Sequence, residues 1–113
     1  MVSVRSKIRT RLLVIGFTGF SCLVSNAWAG DPEAGKQRAV VCGSCHGQNG
    51  MAIIPNYPNL AGQNELYLID AMKQYRDGLR RNMVMSPMAK GLSDTDIENL
   101  AAYYATMKPV VKD

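Results

Sequence analysis

Cys42-Gly43-Ser44-Cys45-His46 decides how this chain is read. Two thiols three residues apart point the same way when the stretch winds into a helical turn. An imidazole follows directly, and His46 is the only histidine of the 113 residues. Four chemistries use such a cysteine pair: a disulfide, a thiol redox pair, a metal site and covalent cofactor attachment. A plain disulfide leaves His46 without a role. A thioredoxin-like pair expects a βαβ setting, and no segment alternates with the period of a strand. A structural zinc site needs four ligands; Cys42, Cys45 and His46 have no second pair to join, and adjacent Cys45 and His46 are badly placed to share one tetrahedral ion. C-x-x-C-H is the pattern of covalent c-type haem attachment. Each thiol adds to one vinyl group, and the next residue, His46, binds the iron through its imidazole.

Upstream, Asp31-Pro32-Glu33 reads as an N-cap, a proline at the first helical position and an acid in the first turn. The helix is expected from Pro32 to Val41, with Gly35 inside it at a cost of ~1 kcal/mol against Ala. Downstream, Gly43 to Gly62 is rich in turn residues and reads as one long ordered loop. A second helix is expected from Asn64 to Gly78. Leu68, Met72, Tyr75 and Leu79 fall at i, i+4, i+7 and i+11 and so share one face. Arg80 to Gly91 reads as irregular. A last helix opens at Ser93, with Asp94, Asp96 and Glu98 in its first turns. Ile97, Leu100, Ala101 and Tyr104 form its apolar stripe, and Pro109 follows its end.

The fold class is therefore all-α. Three helices with about twenty residues of loop bury little apolar surface, and domains of this size need a staple. A haem fills the centre and supplies it.

With one histidine, two histidines of the same chain cannot ligate the iron. Met, Lys, the N-terminal amine and solvent remain for the sixth position, and a thioether opposite His suits a high-potential carrier. Met72 and Met107 fall at helical spacing and read as core. Met51 lies too near His46 in sequence to reach the opposite face. The Met83–Met88 loop remains, with Met83, Met85 and Met88 as candidates.

The N-terminus has its own logic. Met1 to Thr10 is basic, Leu12 to Val24 is an apolar run of 13 residues, and Ala27-Trp28-Ala29 is a small-residue cleavage pattern before Gly30. These are the parts of a secretory signal peptide, and the run is shorter than the ~20 residues of a spanning helix. Residues 1–29 are expected to be removed and 30–113 to form the exported, periplasmic domain. Cys22 leaves with the signal, and so do Trp28, Phe17 and Phe20. The net charge of +4 does not signal nucleic acid. Arg5, Lys7, Arg9 and Arg11 lie in the signal, and the other 84 residues balance nine basic against nine acidic side chains.

The strings AVVCGSCHG, YPNLAGQ and MSPMAKGLSDTDIENLAAYYA, with the helix Glu65–Gly78, together resemble the class I monohaem c-type cytochromes from Asp31 to about Met107. The short soluble periplasmic kind and single domains of the tandem dihaem cytochromes are the most similar. The resemblance implies a small cytochrome c fold with three to four helices around one haem c. It implies crossed first and last helices, with Gly35 and Ala39 at the small positions and Leu100 and Tyr103 at the large ones. It places Pro58 and Leu60 at the cofactor, the Pro58 carbonyl on the ring nitrogen of His46. Its axial Met lies seven residues before the Leu that opens the last helix. Counting back from Leu92 gives Met85, so the expected iron ligands are His46 and Met85.

The function expected is that of a one-electron carrier and not of a stand-alone catalyst. No nucleophile–base pair and no phosphate loop stand out. The alternatives are a haem subunit of a dehydrogenase or oxidase complex, a small haem peroxidase, and an exported thiol oxidoreductase without haem. The expected partners are donor and acceptor redox proteins, membrane-bound complexes among them, met by a monomer. Lys73, Arg76, Arg80, Arg81 and Lys90 cluster apart from Asp94, Asp96 and Glu98. They read either as two solvated faces, with an Arg neutralising a haem propionate, or as a basic rim around the exposed haem edge that steers an acidic partner.

Overall fold

The computed structural model describes residues 30–110; the expected signal segment and Cys22 lie outside the described residues. Five helices follow in order: α1 Pro32–Arg38, α2 Gly43–His46, α3 Glu65–Asp77, α4 Met85–Ala89 and α5 Asp94–Thr106. Among the described residues there is no strand. No helix among them is long and apolar enough to cross a membrane.

Local chemistry sets most of the helix ends. Asp31 caps α1: its carboxylate accepts from the Glu33 N–H at 2.9 Å and the Ala34 N–H at 3.4 Å, with Pro32 at the first position. α1 stops at Arg38, short of Val41. The winding continues through turns at 39–42, where the Gly43 N–H donates to the Ala39 carbonyl at 3.0 Å. This delivers Cys42 directly to α2, so the start of the expected long loop is helical and only the part after His46 is irregular. Asn64 caps α3 through the Tyr67 N–H at 3.0 Å, and Gly78 closes it in the left-handed region at φ 80°. The α3 stripe ends there too. Leu68 is buried and Met72 and Tyr75 are half-buried, but Leu79 lies past the Gly78 reversal and is 83% exposed. Ser93 and Asp96 form a reciprocal capping box at the start of α5, with both bonds at 3.0 Å.

α4 is the element that the sequence reading left irregular. The Asn82 side chain accepts from the N–H groups of Val84 and Met85, both at 2.9 Å. Ser86 Oγ accepts from the Asn82 N–H at 3.0 Å. Pro87 sits in the first turn, where its missing N–H costs nothing. A five-residue helix shows too little periodicity to be read from the chain alone.

The frame is the packing of α1 on α5 and of α3 on both α5 and α4. Gly35 marks the closest approach. A Cβ there would run into the Asn99 carbonyl and stand 2.9 Å from the Tyr103 Cβ. The Asp31 N–H also donates to the Asn99 side chain at 2.7 Å. The crossing implied by the resemblance is therefore built as expected, with the α5 backbone filling the space at Gly35 and Ala39 packed into the core. The whole expected stripe of α5 is buried: Ile97, Leu100, Ala101 and Tyr104 are at most 3% exposed. Ala39, Leu68, Leu100, Ala101 and Tyr104 make one small core cluster, with Cys42, Leu60, Met72 and Leu92 packed against it.

Charge is not segregated into two faces. Arg76 bonds Asp94 at 2.6 Å and Asp77 at 2.8 Å, and Lys73 lies 3.9 Å from Asp94. Arg38 lies 3.5 Å from Asp96. The acids of α5 thus neutralise α1 and α3, and Lys73 and Arg76 do not belong to a free basic rim.

Candidate cofactor site

The backbones of α2 and α4 stay more than 8 Å apart. Between them lies a cavity of about 810 Å³, a volume in the range of ~300–1,000 Å³ that holds a small organic ligand or cofactor. Cys42, Cys45, His46, Pro58, Leu60 and Met85 all line it. Every residue singled out for the site in the sequence is therefore brought to one space. Of the other methionines, Met72 and Met88 also line it, and Met51, Met83 and Met107 do not. Met83 is 96% exposed on the outside of its loop.

α2 is one helical turn, so Cys42 at its N-cap and Cys45 inside it lie on neighbouring positions of the same face. Both are free thiols and half-buried. Burial pushes the Cys42 thiol up from its ordinary value, and the neighbouring Tyr104 hydroxyl partly offsets this by hydrogen bonding. The same burial pushes the Tyr104 phenol up.

His46 is 5% exposed. Its Nδ1 lies 2.8 Å from the Pro58 carbonyl. A carbonyl only accepts, so Nδ1 carries the proton and Nε2 of the neutral ring keeps its lone pair. The Tyr57 ring meets His46 edge to face, with centroids 6.1 Å apart. The ring is thereby fixed in both tautomer and orientation.

On the far side, Met85 and Met88 are three residues apart on α4 and both line the cavity. The Asn82 cap holds this turn against the cavity. Tyr67 and Tyr75 of α3 and Arg80 beyond it complete that wall. The sequence reading kept Met88 as an alternative ligand and Arg80 in the basic cluster; it did not place Met72, Tyr67 or Tyr75 at the site. Met88 carried a signal, its spacing to Met85, which becomes legible once α4 is a helix. Met72 and Tyr75 carried only their place on the apolar face of α3, which reads equally well as core, and Tyr67 carried no signal, since only tertiary packing brings it to the cavity.

The donor set is one neutral imidazole, two thiols and thioethers around an apolar space. Among the described residues no three His, Cys, Asp or Glu side chains converge as a metal cluster. A model of the cytochrome c family matches residues 32–108. The chain belongs to the cytochrome c family.

This cytochrome is 47% identical over 83 residues to cytochrome c-554(548) of Halomonas halodenitrificans, covering 71% of the chain and 100% of that protein. It is 43% identical over 97 residues to cytochrome c4 of Pseudomonas aeruginosa, covering 86% of the chain and 46% of that protein. The crystal structure of reduced recombinant cytochrome c4 from Pseudomonas stutzeri superposes with a TM-score of 0.70 at 40% identity, over 74% of this chain and 48% of that one. The chain spans about half the length of the cytochrome c4 relatives it matches. The family's cofactor is haem c with its iron, covalently bound, and the residues present fit it. The paired thiols match its two vinyl groups, His46 offers an oriented nitrogen, and the apolar walls match the macrocycle.

Proposed function

We propose that this chain is a periplasmic one-electron carrier, with haem c attached through Cys42 and Cys45 and ligated by His46 and Met85. One observation carries the reading: a cysteine pair with an oriented imidazole, and a thioether from a separate helix, line a single cavity. Haem c supplies a ferric–ferrous couple when bound. The chain's own residues tune that couple. The bond from His46 Nδ1 to Pro58 holds the tautomer and makes Nε2 a better donor. Thioether donation from Met85 opposite an imidazole favours a high potential. Leu60, Leu68 and Leu100 line the cavity with hydrocarbon. Were His46 and Met85 both to hold the iron of the bound group, they would leave no place on it for a substrate, which suits transfer between proteins and not catalysis by the chain alone.

Export rests on the signal features of residues 1–29, with cleavage before Gly30 and a functional domain of 30–113. The partners are donor and acceptor redox proteins. A relative from Thiomonas intermedia, 44% identical over 84 residues, is a thiosulfate dehydrogenase electron acceptor. That name supports a dehydrogenase as the class of donor, with the chain covering 37% of that relative.

Intact mass spectrometry of the exported protein, with oxidised and reduced spectra, tests the reading. The expected mass is that of Gly30–Asp113 plus one haem, with a reversible one-electron change. A mass without added haem overturns it. Ready binding of carbon monoxide by the reduced protein overturns the two-ligand assignment.

A further inference from the structure

The Pro58 carbonyl orients the His46 ring, yet Pro58 stands on a surface loop and needs a support of its own. The loop leaves the body at Gly50 and returns at Leu60, and its neck is clasped. The Gly50 carbonyl accepts from the N–H groups of Leu60 at 2.8 Å and Ala61 at 3.0 Å. Gly50 sits at φ 72°, and a Cβ there would stand 2.8 Å from the Ala61 nitrogen, so the two sides of the neck meet backbone to backbone. Further into the loop, Asn59 Oδ1 accepts from the Ala52 N–H at 2.8 Å. Ile53 to Asn56, beyond the neck, are exposed.

These bonds close a circuit. The Gly50 N–H donates to the Gly47 carbonyl at 3.0 Å, Gly47 follows His46 in the chain, and His46 Nδ1 donates to the Pro58 carbonyl at 2.8 Å. Bonds joined in one network support each other beyond their separate worth. Pro58 has no N–H by which its own nitrogen could be anchored. The peptide unit that carries its carbonyl is therefore held from its other end, which is Asn59. Of the bonds across the neck among the described residues, the one from Ala52 to Asn59 alone uses a side chain; the others run between backbone groups.

We propose that Asn59 is a positioning residue: by clasping Ala52 it holds the Pro58 carbonyl on His46 and thereby lowers the potential of the bound haem. The proposal rests on the attachment reading above. A firm bond from Nδ1 makes Nε2 the better donor, and stronger donation favours ferric iron. A loosened clasp weakens that bond, so the potential rises. General loosening of the fold has the opposite sign, because water admitted to the cavity favours the more highly charged ferric form.

Two measurements on the haem-loaded protein test this: spectroelectrochemical titration, and exchange of the His46 Nδ1 proton followed by NMR in the ferrous state. Asn59→Leu removes the acceptor. It is expected to shift the ferric-to-ferrous ratio at fixed ambient potential about threefold toward ferrous and to speed Nδ1 exchange about tenfold. Asn59→Asp keeps an acceptor for Ala52 and is expected to hold that exchange within about twofold of the parent. Its added charge acts on the potential directly, so exchange is its readout. Asn56→Leu, at the exposed tip of the same loop, is expected to leave ratio and exchange within about twofold of the parent. Four outcomes overturn the proposal: a shift toward ferrous of less than about twofold in Asn59→Leu, a shift toward ferric, an equal effect of Asn56→Leu, or exchange in Asn59→Asp as fast as in Asn59→Leu. Should Asn59→Leu not yield haem-loaded protein, the parent decides. One opening event then exposes both the Ala52 amide and the Nδ1 proton, so their protection factors are expected to agree within about tenfold, and a larger gap overturns the proposal. Failure of the parent chain to carry haem defeats the attachment reading instead, so the two failures are distinct.

Discussion

The crossing of α1 and α5 and the gap between α2 and α4 are built on opposite terms. At the crossing, protein closes on protein: Gly35 admits the Asn99 backbone, and Leu100 and Ala101 are fully buried. At the gap, the walls face a space. Val41 is 60% exposed, Met88 45% and Val84 41%, although all three line it. The crossing is a clamp that is complete in itself. The gap is lined by the residues that would hold the family's cofactor. The domain is too small for the clamp alone to offset the chain entropy of the whole, so stability and cofactor attachment are coupled.

The sharpest way to break this comparison is to deny the gap its occupant. Cys42→Ala with Cys45→Ala should abolish covalent haem and remove most of the folding cooperativity. Thermal unfolding followed by circular dichroism, beside a haem-content assay, decides it. A haem-free variant that melts as sharply and as high as the parent would show the crossing to be self-sufficient.

Next in size is the clamp itself. By helix propensity alone Gly35→Ala gains up to ~1 kcal/mol. Here the new Cβ meets backbone, which does not yield, and the cost of such overpacking is about 3 kcal/mol. The sign of the change in a denaturant titration of the haem-loaded protein separates the two. A stabilised variant removes the close approach from the argument.

The gap is then sharpened at the iron. Met85→Ala should abolish the sulfur-to-iron absorption band of the oxidised protein and lower its potential, at a stability cost of about 1–2 kcal/mol for a half-buried side chain. Met88→Ala shares the wall and should keep the band. The reverse outcome moves the ligand three residues along α4. Retention of the band in both transfers it to Met72, the other cavity-lining methionine.

Smaller effects lie at the start of α5 and the end of α3. Ser93→Ala removes one arm of the capping box and should cost about 1 kcal/mol in a denaturant titration. Asp94 and Asp77 are held below the usual carboxylate range by the bonds from Arg76. A lowered folded value means that their contribution is present above the unfolded value of about 3.9 and is lost as pH falls through the folded one. Arg76→Gln should flatten this acid limb of stability below about pH 4 and leave neutral pH nearly unchanged, because exposed pairs contribute little there. An unaltered acid limb would show the pairs to be energetically silent.

How much of this was legible beforehand follows the range of the interaction involved. The caps at Asp31, Asn64 and Ser93, the stop at Gly78 and the buried stripe of α5 are set by bonds spanning a few residues or by a repeat within one helix, and the chain alone shows them. The C-x-x-C-H stretch is equally local, so the cofactor class was open to reading before any fold. Tertiary structure decided the rest. α4 depends on the Asn82 side chain turning back onto Val84 and Met85. Of the three crowded methionines, Met83 stands outside the cavity while Met85 and Met88 both line it. Arg76 finds Asp94 across 18 residues, which no charge pattern along the chain announces. Leu79 fits the α3 repeat and is exposed all the same, because one left-handed glycine redirects everything after it. Periodicity and capping are written in neighbouring residues; the partner across a cavity is chosen by where whole helices come to rest.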